Sequence, residues 1–130
     1  MIDRRLRAMA KAELPDLLLP DAVSWRRWLA DNHAESPGVR LVLHESGGTV
    51  TSLTIDDAVE EALCFGWIDG QANKRDEGSW MVRFTPRRPG SNWSERNIAR
   101  ADRLEREGRM KPAGRAAVEA AKADGRWQPG

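Results

Sequence analysis

Thr54-Ile-Asp-Asp-Ala-Val-Glu-Glu-Ala-Leu-Cys-Phe-Gly66 leads without a break into Trp67-Ile-Asp-Gly-Gln71, and Trp80-Met-Val-Arg-Phe84 follows a few residues later. The first run reads as a capped helix. Thr54 suits the N-cap, and Asp57, three residues on, approximates a capping box. Ile55, Val59, Ala62 and Leu63 fall on one inward stripe of a helix over 55–65. Gly66 suits the left-handed position that ends it. The second and third runs read as strands, with Trp80, Val82 and Phe84 a period-2 face. The polar loop 72–78 between them makes a hairpin.

Working outward, Asp21 caps a helix that reaches about Asn32, with Trp25, Trp28 and Leu29 as its buried face. Leu17-Leu18-Leu19, bracketed by Pro15 and Pro20, reads as a short edge strand. Ser36-Pro37-Gly38 breaks the chain. Val39 to His44 is a strand, turned by Ser46-Gly47-Gly48. Towards the C-terminus, Thr85-Pro-Arg-Arg-Pro-Gly-Ser91 is a stiff basic loop. Ser94 then caps a helix to about Glu107, and Gly108 ends it. Pro112 opens a last helix that reaches about Ala123. The order β-α-β-α-β-β-α-α predicts an α+β fold, a small mainly antiparallel sheet packed against about four helices. No glycine-rich phosphate loop follows a strand, so neither a dinucleotide fold nor a P-loop is supported.

The chain has 130 residues, the size of one domain, with 1–13 a flexible or helical arm. Its 21 basic and 20 acidic side chains give a net charge of +1, which excludes a strongly basic nucleic-acid coat or an acidic tail. The balance is uneven along the chain. Residues 1–82 carry 9 basic and 14 acidic groups, whereas 83–115 carry 10 basic and 4 acidic. Such blocks bear on partners rather than on fold. One cysteine excludes an internal disulfide framework. The basic start lacks an apolar stretch behind it and is not a secretory signal. No run approaches the roughly 20 apolar residues of a membrane span. A cytoplasmic location is expected.

Several segments in fixed order resemble the bacterial YdeI/OmpD-associated family, also called bacteriocin-protection proteins. They are Trp25-Arg-Arg-Trp-Leu-Ala-Asp-Asn-His33, Asp57-Ala-Val-Glu-Glu-Ala-Leu63, Ala62-Leu-Cys-Phe-Gly-Trp-Ile-Asp-Gly70, Arg83-Phe-Thr-Pro-Arg-Arg-Pro-Gly-Ser-Asn-Trp-Ser-Glu-Arg-Asn97, Gly108-Arg-Met110 and Ala123-Asp-Gly-Arg-Trp127. The resemblance spans about residues 17–127. It implies an accessory role in protection against bacteriocins and association with a porin, and it supplies no catalytic residues. Lys111 stands where the family carries Thr or Ser, so the last helix lacks a capping side chain. His44 and Glu45 stand where the family often has Lys.

The richest candidate site joins Arg83, Arg87, Arg88, Asn92, Trp93, Ser94 and Asn97. A basic loop runs into a helix N-terminus, where free N–H groups and the dipole favour an anion. Arginine adds planar bidentate donors, and Trp93 and Trp80 offer flat faces. The expected partner is an anionic small molecule or a nucleotide. The competing reading is structural, with Ser94 capping, Trp93 packing and the arginines paired with the acidic front half. Asp69 shares a strand face with Trp67, and Arg83 on the neighbouring strand is its expected partner.

Three other constellations are weaker. Asp56, Asp57, Glu60 and Glu61 form two i, i+4 carboxylate pairs, suited to hard cations as in frataxin-like proteins or to a solvated first turn. Arg96, Arg100 and Arg103 make a helical stripe that could meet nucleic-acid phosphates. Cys64, His33 and His44 form neither a nucleophile–base pair nor a usual zinc set. His33 is expected to serve the last carbonyls of its helix. No metal, cofactor or catalytic residue is expected. A protein partner and a nucleic acid both stay open.

Overall fold

The alternation in Ser79–Pro86 sorts its residues between two sheet faces, and the register shows which face is covered. In the computed structural model, which describes residues 14–44 and 52–127, the elements are β1 (Asp16–Leu17), α1 (Ala22–Asn32), β2 (Val39–His44), α2 (Ile55–Cys64), β3 (Trp67–Asp76), β4 (Ser79–Pro86), α3 (Glu95–Arg106) and α4 (Pro112–Ala123). The expected arm over 1–13 and the turn at Ser46-Gly47-Gly48 lie outside the described residues. The four strands form one open sheet, β1-β2-β4-β3, antiparallel except for the β1–β2 pair. This is the α+β architecture and element order that the sequence predicts.

Val39, Leu41 and Leu43 of β2 stand opposite Phe84, Val82 and Trp80 of β4. Opposed residues share a face, and these join the core. Helix α1 supplies the cover. Trp25 meets Phe84 edge-on at 5.4 Å and stacks on Trp28 at 5.6 Å, and Trp28 meets Trp67 at 5.8 Å. Buried indoles need partners for their N–H. Trp25 Nε1 donates to the Ala58 carbonyl at 3.0 Å, and Trp67 Nε1 to the His33 carbonyl at 3.3 Å.

Three predicted caps are present. The side chains of Asp21, Thr54 and Ser94 accept from the N–H groups of Ser24, Asp57 and Asn97. Lys111 makes no side-chain cap. Helix α4 starts instead on the end of α2, where Lys111 N–H donates to the Cys64 carbonyl at 3.0 Å. Two glycines permit that approach. Gly66 turns the chain at φ +77°, and a Cβ on Gly114 would meet the Cys64 carbonyl oxygen at 2.4 Å.

Three local expectations are corrected. The strand at Leu17-Leu18-Leu19 is displaced: only Asp16 and Leu17 pair, with Arg40 and Leu41, and Leu18 is exposed. The β3–β4 ladder runs through the polar residues to Asp76, replacing the predicted 72–78 loop. Asp76 makes the short turn possible by accepting from Gly78 N–H at 3.0 Å and Ser79 Oγ at 2.7 Å. Ile55 is exposed rather than inward, and the buried stripe begins at Ala58. Helical side chains lean towards the N-terminus, so a first-turn residue projects past the start of its helix.

Candidate functional site

Strand β4 ends at Pro86 and delivers Arg87 to the foot of the sheet. Arg87 N–H donates to the Gly66 carbonyl at 3.0 Å, which ties the basic loop to the end of α2. The guanidinium lies over the Trp93 ring, 3.6 Å from its centroid. Its Nη1 donates to Ser91 Oγ at 3.0 Å and to the Asn92 carbonyl at 3.2 Å. Its Nε and Nη2 are buried and have no hydrogen-bond partner among the described residues. Buried donors are normally satisfied, so this pair calls for an explanation.

Arg87 borders a cavity of about 460 Å³ between the foot of the sheet and α4. Phe65, Trp67 and Trp93 line it together with Ala113, Ala116, Ala117 and Ala120 of α4, and His33, Arg88 and Arg126 are also in the wall. Burial pulls the Arg87 guanidinium down to about 10; the Asp69 carboxylate opposes that effect and the Arg126 charge adds to it. Arg87 makes no salt bridge with a described carboxylate. The guanidinium thus stays charged at neutral pH while partly stripped of water.

The C-terminal segment holds the loop in place. Arg126 Nη1 donates to the Ser91 carbonyl, and its Nε and Nη2 both donate to Asp124 Oδ2. Trp127 meets Trp93 edge-on at 5.2 Å.

The predicted site residues therefore separate. Arg87, Arg88 and Trp93 line the cavity. Ser94 and Asn97 are occupied at the helix start: Ser94 Oγ accepts the Asn97 N–H, and Asn97 Oδ1 accepts from Arg100 Nη1 at 3.0 Å. Trp80 sits at the opposite end of β4, paired with Leu43 and Lys74, on the order of 20 Å away at roughly 3.3 Å per residue. The expected Asp69–Arg83 pair is corrected. Asp69 stands opposite Phe84 on the core-side face, whereas Arg83 stands opposite Arg40 on the other. Successive residues alternate between faces, so the two cannot meet. Asp69 acts on Arg87 instead.

Sequence reasoning missed His33, Phe65, the four alanines and Arg126. The alanines at 113, 116, 117 and 120 do fall at helical spacing, and that stripe was the available signal. His33 Nδ1 lies 2.8 Å from the Leu29 carbonyl, the helix-end role expected of it.

The acidic helix and the arginine stripe meet one another. Asp56 pairs with Arg100 at 2.8 Å, Glu60 with Arg103 and Arg109, and Glu61 with Arg26 at 2.7 Å and Arg109 at 3.1 Å. Glu61 is buried, so this side of the helix is neither solvated nor a set of bare cation ligands. No group of three or more His, Cys, Asp or Glu that could hold a metal occurs among the described residues. Cys64 is buried, and burial raises its thiol above the ordinary range despite the opposing effect of Arg26. No helix among the described residues is long and apolar enough to cross a membrane.

No curated protein and no solved structure matches the chain. A family model described as a domain of unknown function, DUF8412, matches residues 17–117, a span from β1 to the middle of α4 that takes in most of the cavity wall. The chain belongs to the DUF8412 family.

Proposed function

We propose that this protein binds a small organic anion in the cavity beside Arg87 and works as an accessory ligand-binding protein rather than as a catalyst. The observation that carries the reading is the half-buried, charged Arg87 guanidinium, which holds two buried, unpartnered N–H groups next to a cavity of about 460 Å³. A buried charge without a partner is unfavourable, and an arriving anion supplies the missing counter-charge. The cavity size falls within the range of small-molecule sites. The fork is covered by protein, so binding shifts the side chains over it, a rotamer change of the kind common on complex formation.

The reading includes the accessory role implied by the resemblance to bacteriocin-protection proteins, with the cavity as its working part. It also includes a cytoplasmic location, which a lone buried cysteine suits. The nucleic-acid alternative draws less support, because Arg100 and Arg103 are already tied to Asp56 and Glu60.

Thermal shift tests the reading, since any ligand specific to the native state raises apparent stability. Acetate, benzoate, citrate, inorganic phosphate and a short single-stranded RNA form the panel. At least one small anion is expected to raise the melting temperature, and Arg87→Ala to abolish the response. An RNA response with a steep salt slope that flattens in the Arg100→Ala/Arg103→Ala protein would overturn the proposal.

A further inference from the structure

Resting on that reading, we propose that the ligand is a monocarboxylate with a flat apolar body, its carboxylate held by Arg87 Nε and Nη2 and its body lying between Trp93 and the alanine face of α4. The free donors are the first argument. Nη1 is occupied by Ser91 and Asn92, which leaves Nε–H and Nη2–H. These point the same way from one edge of the guanidinium plane. Two parallel donors match the two oxygens of one carboxylate. A phosphate presents a third oxygen, and the neighbouring Arg126 has Nε, Nη1 and Nη2 all engaged with Asp124 and Ser91.

The walls are the second argument. Beyond the arginines, the cavity lining includes the rings of Phe65, Trp67 and Trp93 and the methyl groups of four alanines of α4. Small residues on a helix leave a shallow, even surface, and a ring in the same lining favours a planar guest. About 460 Å³ sets the limit at a small-molecule guest. A carboxylate on a two-ring body fits that limit.

Calorimetry with five probes tests the inference: 2-naphthoate, 2-naphthamide, 2-naphthyl phosphate, acetate and inorganic phosphate. The wild-type protein is expected to bind 2-naphthoate at least tenfold more tightly than any of the others. The amide lacks the charge, acetate lacks the body, and the phosphates carry a third oxygen that the two-donor fork does not match. Arg87→Lys is expected to lower 2-naphthoate affinity at least tenfold, because lysine keeps the charge but loses the fork. Ala117→Leu, which fills the cavity, is expected to weaken 2-naphthoate while leaving the fold intact by circular dichroism. A phosphate probe that outcompetes 2-naphthoate, or acetate that equals it, overturns the inference and leaves the anion reading standing. Binding of 2-naphthoate undiminished by Arg87→Lys also overturns it. Failure of every anion to bind overturns the anion reading itself.

Discussion

Replacing Arg87 with methionine should leave the unliganded protein about as stable as before, although the residue is half-buried. Depression of the guanidinium from its ordinary range to about 10 corresponds to about 3 kcal/mol at roughly 1.4 kcal/mol per tenfold, reduced to about 2 kcal/mol by partial solvent screening. Methionine removes that penalty. It also removes the Nη1 hydrogen bonds to Ser91 and Asn92 and the contact with Trp93, together about 2–3 kcal/mol. The two sides nearly cancel, so the net change should stay within about 1 kcal/mol.

Arg26→Met is the control. Arg26 pairs with the buried Glu61 and donates to the Arg109 carbonyl, and breaking a buried pair costs about 3–5 kcal/mol. Since Glu61 retains Arg109, about 2–4 kcal/mol is expected. Urea denaturation measures both. Arg87 binds its proton less tightly in the folded state, so its penalty is full below about 10 and fades as pH rises from there towards the ordinary arginine range. The difference between Arg87→Met and wild type should therefore move in favour of wild type above pH 10. An Arg87→Met protein destabilised as much as Arg26→Met would refute the reasoning, because Arg87 would then be a structural arginine.

Trp67→Ala should cost about 3–5 kcal/mol by opening a cavity beneath α1, measurable by the same denaturation. Gly114→Ala should destabilise by about 1–3 kcal/mol through overpacking, although alanine is the better helix former by about 1 kcal/mol, because its Cβ would strike the backbone of α2. Cys64 should resist a thiol reagent in the native protein and react on unfolding, as its burial and raised thiol require. Asp56→Asn with Glu60→Gln should leave iron and calcium affinity unchanged by calorimetry, since both carboxylates already hold arginines.

The architecture was legible where local chemistry and periodicity agreed. Asp21, Thr54 and Ser94 announced helix starts, and Trp80, Val82 and Phe84 announced a strand with a buried face. The extent of β3 was not legible, because Gln71 to Asp76 are exposed and, apart from Ala72, polar; backbone pairing with β4 extends the strand without help from large apolar side chains. The Asp69–Arg83 error came from choosing a partner by charge without the register that sets them on opposite faces. Arg87 and Trp93 were legible as a basic loop with an aromatic neighbour. Their cavity was not, because its far wall belongs to α4 and its edge to Arg126, and alanines in a helix read as propensity before they read as a surface. Pairing between the acidic α2 and the arginines of α3 depends on how two helices pack, which neither segment reveals alone.

The most direct measurement follows the Arg87 Nε–H resonance by NMR while 2-naphthoate and then inorganic phosphate are titrated into the protein. Charge-assisted hydrogen bonds to an oxyanion are short and strong, so the account predicts a large, saturable downfield movement of that resonance with at least one of the two. An Arg87 Nε–H resonance that stays fixed throughout both titrations would contradict it.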